Sequence, residues 1–201
     1  MKLLDFVFKK KELTKNSLEK LLNGAANDIL LSLFYNVNSF LKKNENLDDV
    51  RISDFIKRPV IPYILFREMS FLSLHLVDRY SFDLLSSEKR DALMNLFILI
   101  YIERFEKKYI KIFNITIKNN FKDGFLSEYD IRSKLYGKVK DLYPSEGKPF
   151  KDTLFWEASN LISKLYFKDD SGAALLLPSL TITAYGGTNK IFKILENLPK
   201  S

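Results

Sequence analysis

Glu68, His75 and Arg79 are spaced so that, at about 100° per residue, they fall within about 60° of one another on one helix face, with Leu72 among them and Asp78 beside them. The surrounding residues Leu65, Phe66, Met69, Phe71, Leu74, Leu76, Val77 and Tyr80 are apolar on nearly every side, which places this helix in the interior. Charges held there must pair with one another or with a ligand. The leading expectation is a buried ion-pair network in which Arg79 neutralises Glu68, or a carboxylate such as Glu103 from the following helix. The functional alternative takes Glu68, His75 and Asp78, with Glu103 or Glu106, as a metal site or a small-ligand site inside a helical bundle. Di-metal bundles use two Glu-x-x-His pairs, and none occurs here; Arg79 on the same face also opposes a cation. No metal and no cofactor is therefore expected. A small anion held by Arg79, with Arg67, is the other form of that alternative.

The second constellation is basic. With Arg104 as reference, Lys107, Lys108, Lys111, Lys118 and Lys122 project within about 60° to either side, provided that one helix of about 27 Å carries them all. Residues 101–150 hold 11 Lys and Arg against 7 Asp and Glu, more than half of the whole-chain surplus of +7. Such a stripe is a solvated face or a polyanion site for nucleic acid, whose affinity would fall steeply with salt. Neither a helix-turn-helix nor a zinc finger accompanies it. An anionic membrane surface would need the apolar face of this helix free, and that face is committed to the core.

Other chemistry is thinly represented. His75 is the only histidine and cysteine is absent, which excludes disulfides, thiolate metal sites, cysteine nucleophiles and any site needing two imidazoles. A serine hydrolase would have to use His75 as its base, and no Gly-x-Ser-x-Gly elbow is present. Gly186-Gly-Thr-Asn-Lys190 lacks P-loop spacing and reads as a turn. The pairs Asp48-Asp49 and Asp169-Asp170 read as helix caps, and Tyr143, Phe150, Phe155 and Trp156 as a core aromatic patch.

The elements that must position these groups are helical by period almost throughout. Expected helices run from about Leu13 to Lys43, divided at Gly24; briefly to Lys57; from Pro62 to Leu85; from Ser86 or Ser87 to Phe113 or beyond; from a capping box at Ser127 and Asp130 to Leu142; from Asp152 to Tyr166; and from Thr188 to a stop before Pro199. Strand-like alternation is confined to short pieces such as Leu180 to Tyr185. Ser171 to Asn189 carries no charge but includes Pro178 and three glycines, and reads as a buried or interfacial loop.

With 46% apolar and 28% charged residues, the 201-residue chain has ample material for one core and none of the marks of a disordered or fibrous sequence. The fold expected is all-α: a single-domain helical bundle of about six to eight helices spanning residues 1–201, with a buried central helix near 62–85 and a weak boundary, if any, at the 143–150 loop. The amino terminus has its apolar stretch broken by Asp5 and closed by three lysines, unlike an export signal. The longest apolar run, Leu96 to Ile102, has seven residues against roughly 20 needed to cross a bilayer. A cytoplasmic protein follows as the expectation. Its expected role is that of a non-enzymatic helical interaction or regulatory protein that binds a protein partner or itself. The alternatives are nucleic-acid or polyanion binding through the basic stripe, and a bundle site at Glu68, His75 and Asp78.

Overall fold

The computed structural model describes residues 15–44, 53, 56–116, 120–142, 153–167 and 173–198. Seven α-helices and no strand occur among the described residues, so the fold is an all-α bundle, as expected.

The first helix, α1, covers Lys15–Asn44 without a break. Leu18, Leu22, Ala25, Ala26, Ile29, Leu30, Leu33 and Val37 are buried at three-four spacing, so the apolar face runs past Gly24. A helical glycine costs about 1 kcal/mol, too little to divide a helix anchored along its whole length. One turn then closes with Lys57 N–H donating to the Ser53 carbonyl at 3.2 Å. The expected Asp48-Asp49 cap lies outside the described residues.

α2 (Ile61–Leu84) begins with Pro62 in its first turn and is buried on nearly every side, as its composition requires. It packs against α1 and against α3 (Ser87–Arg104), which starts from Ser86. Phe66 sits at the centre of this junction, its ring 5.0 Å from Phe105, 4.7 Å from Tyr109 and 5.2 Å from Phe113.

α3 does not run on to residue 122. Phe105–Tyr109 is a π-turn, Ile110–Ile112 is a last α turn, and Asn114 then takes a left-handed φ of 52°, which asparagine tolerates better than most residues. The next helix, α4, is Phe121–Tyr136. Its cap is Asn120, whose side-chain oxygen accepts from the N–H groups of Lys122 at 3.1 Å and Asp123 at 3.5 Å. The expected capping box at Ser127 is therefore inside the helix, and the helix stops before Leu142.

α5 (Leu154–Ile162) is capped by Thr153, which accepts from Trp156 N–H at 3.3 Å; the expected cap Asp152, like the 143–150 loop, lies outside the described residues. A second π-turn, Ser163–Phe167, follows it. Residues expected to form a loop are instead α6, Ala173–Gly187. Leu180, Thr181 and Ala184 are buried where α6 meets α1 and α5. Pro178 is accommodated with local hydroxyl bonds: Thr181 donates to the Pro178 carbonyl at 3.1 Å and Thr183 to that of Leu180 at 2.6 Å. At Gly187 the two backbones nearly touch, since a Cβ there would stand 3.3 Å from Ser32 Cβ and 3.5 Å from Ile29 Cα. α7 (Asn189–Glu196) begins after Thr188, as expected. No helix of the described residues is long and apolar enough to cross a membrane.

Candidate functional site

The polar stripe of α2 is buried, but its partners are not those expected. Glu68 is fully enclosed and receives both prongs of Arg132 from α4, Nε to Oε2 at 2.9 Å and Nη2 to Oε1 at 3.1 Å. Arg67 adds a longer contact at 3.7 Å and also binds Glu128, at 3.1 Å. Arg79 is too far along α2 to reach Glu68; it donates instead to the Val139 carbonyl at 2.8 Å. Glu103 is exposed on α3 and pairs with Lys107 one turn on, so it takes no part in the buried network. The sequence signal for Arg132 was weak, because its helix begins six residues before the expected cap and its partner lies 64 residues away.

His75, Asp78 and Arg79 do come together. They line one side of a cleft of about 430 Å³, with Phe82, Asp83 and Arg90 toward the end of α2 and the start of α3, and Gly137, Val139 and Lys140 opposite. Arg90 holds both oxygens of Asp78, Nε to Oδ1 at 2.8 Å and Nη2 to Oδ2 at 3.0 Å. His75 is buried beside the Tyr136 ring, and its Nδ1 lies 3.4 Å from Ser133 Oγ. Burial pushes its imidazole down to about 4; Asp78 opposes that shift and Arg79 adds to it. The ring is therefore neutral at pH 7.

Ser133, which sequence reasoning did not single out, thus stands next to the only histidine. The pair still lacks the arrangement of an activated nucleophile. His75 Nε2, the nitrogen that a carboxylate would have to orient, has no partner among the described residues, and Asp78 is committed to Arg90. Glu68, His75 and Asp78 do not converge on a point either, and no group of three acidic or histidine side chains able to hold a metal occurs among the described residues.

The basic stripe is split. A π-turn adds one residue to the helix and rotates the downstream side chains by about 100°. Arg104, Lys107 and Lys108 therefore stay together around a cleft of about 220 Å³, completed by Glu103, Tyr109 and the α1 residues Asn23, Asn27 and Leu30. Lys111 lies outside this group, Lys118 outside the described residues, and Lys122 in the first turn of α4. The trio is locally anchored: Arg104 Nε donates to Asn23 Oδ1 at 2.9 Å, Lys107 pairs with Glu103, and the Lys108 ammonium stands 5.3 Å from the Tyr109 ring centre. On α1 the row Asn27, Leu31, Tyr35 advances one turn at a time from the cleft, and Leu31 and Tyr35 are exposed, Tyr35 at 64%.

Of the other sequence features, Trp156 is half-buried rather than part of the core. Lys190, after the two glycines, pairs with Asp28 at 2.7 Å, and Phe155 is in the core; Tyr143, Phe150, Asp48, Asp49, Asp169 and Asp170 lie outside the described residues. Comparison with protein-family models, with curated proteins and with solved structures finds no match to this chain.

Proposed function

We propose that this chain is a non-enzymatic, cytoplasmic helical interaction protein that docks an acidic protein segment between α1 and the widened turn of α3. The observation that carries the reading is the convergence of Arg104, Lys107 and Lys108 on one cleft whose α1 wall continues into exposed Leu31 and Tyr35. A cationic cleft beside an aromatic and an aliphatic anchor suits a partner that offers carboxylates and apolar side chains together. A nucleic-acid backbone would use the cations but leave Leu31 without a partner, and only one of the three cations is an arginine. A second copy joined through this same face would bring positive charge against positive charge, so the occupant proposed is a different, acidic protein.

A fluorescein-labelled peptide alternating Glu and Leu tests the reading by anisotropy against labelled duplex DNA. Peptide binding that weakens with salt and falls at least about tenfold in Lys107→Glu/Lys108→Glu, and again in Tyr35→Ala, is the expected result. Tight DNA binding with no peptide binding would transfer the site to the polyanion reading.

A further inference from the structure

The His75 cleft is separate from the basic cleft, and its charges do not cancel. Three cations, Arg79, Arg90 and Lys140, line it with two carboxylates, Asp78 and Asp83. Arg90 and Asp78 neutralise each other through two short hydrogen bonds. Arg79 is half-buried, and its guanidinium donates to the Val139 carbonyl rather than to a carboxylate; Lys140 stands exposed on the opposite wall. Asp83 offsets one of these two, which leaves the described lining of the cleft one positive charge in excess. Its apolar surface is also concentrated. Phe82 is 66% exposed, with the Arg90 guanidinium 5.3 Å from its ring centre, and the half-buried Val139 also lines the cleft. The floor holds the neutral imidazole of His75, whose Nε2 has no partner among the described residues. A volume of about 430 Å³ lies within the range that encloses small ligands.

We propose that this cleft binds a small organic monocarboxylate, its carboxylate placed between Arg79 and Lys140 and its apolar body against Phe82 and Val139. Arg79 is suited to the role because a guanidinium meets a carboxylate with two parallel donors, and the ring of Phe82 supplies area that the helices do not use. The surplus of one charge selects a monoanion over a dianion, and the apolar wall selects a ring or branched chain over acetate.

The chain supplies its own reporter, because His75 is the only histidine and its ring protons give a single, assignable set of NMR signals. Benzoate should shift those signals saturably, with acetate and inorganic phosphate each weaker by at least about tenfold. Arg79→Gln should weaken benzoate binding by about tenfold or more, and Lys140→Gln, on the exposed rim, by a smaller factor without disturbing the helices. Arg104→Gln, in the other cleft, should leave it unchanged. No saturable shift up to about 10 mM benzoate would overturn the proposal, as would one that both Arg79→Gln and Lys140→Gln leave intact. Phosphate binding as tight as benzoate would overturn the carboxylate assignment. Should Arg79→Gln unfold, the Lys140→Gln titration alone decides.

Discussion

Glu68 on α2 and Arg132 on α4 face each other as a two-pronged pair, with the Glu68 side chain wholly out of solvent and that of Arg132 11% exposed. A pair enclosed in this way contributes little net stability over apolar side chains of the same size, since both ions lose their hydration. Its removal by halves is another matter. Arg132→Ala takes away the two short bonds to the buried Glu68 carboxylate, which should cost about 3 kcal/mol in urea unfolding. Replacing both partners, Glu68→Met with Arg132→Leu, should recover most of that loss. A single variant within about 0.5 kcal/mol of the parent would show that the pair is not buried as described.

His75 makes the stability of the chain depend on pH. Its folded imidazole is held down at about 4, whereas in the unfolded chain it titrates near its usual value of 6.5. Above that value both states are neutral and nothing is lost. As the pH falls below it, the unfolded state takes up a proton that the folded state refuses, and the loss is complete only below the folded value. Unfolding free energies at pH 7 and pH 5 should therefore differ by about 2 kcal/mol from this group. His75→Gln should flatten that part of the profile; an unchanged slope in the variant would assign the pH dependence to other groups.

The start of α4 can be tested at two positions. Asn120→Ala removes the side-chain acceptor of two first-turn N–H groups and should cost about 1 kcal/mol, with Asn120→Ser retaining most of the parent's stability. Ser127→Ala, at the exposed position where the sequence alone suggested the cap, should stay within about 0.5 kcal/mol of the parent. The reverse order in denaturation midpoints would move the helix start back to Ser127.

Much of the helical frame was legible because its signals are local. Pro62 in a first turn and Glu88 in the turn after Ser86 each mark a boundary through the chemistry of one residue, whereas Thr188 stands at a boundary with its hydroxyl donating back to the Tyr185 carbonyl. The segment that forms α6 is misleading for a local reason too. Pro178 and the glycines disfavour helix, and what overrides them is burial against α5 and against α1, the latter far away in sequence. The basic stripe is cut off after Lys108 by the π-turn at Phe105–Tyr109 and the helix end at Asn114, neither of which a period of 3.6 reveals. His75, Asp78 and Arg79 were found together since one helix carries all three. Arg132, Arg90 and Ser133 were not, because only the packing of α3 and α4 brings them to that helix.

The close approach of Gly187 to Ser32 and Ile29 has a bearing on biosynthesis. Among the described residues α1 can pack on α2 and α3 early in synthesis, but the side that carries Ser32 meets its partner only when α6 emerges, roughly 140 residues after α1 ends. At about 5–20 residues per second that interval is on the order of ten to thirty seconds, long enough for a nascent apolar surface to engage a chaperone before its own helix arrives.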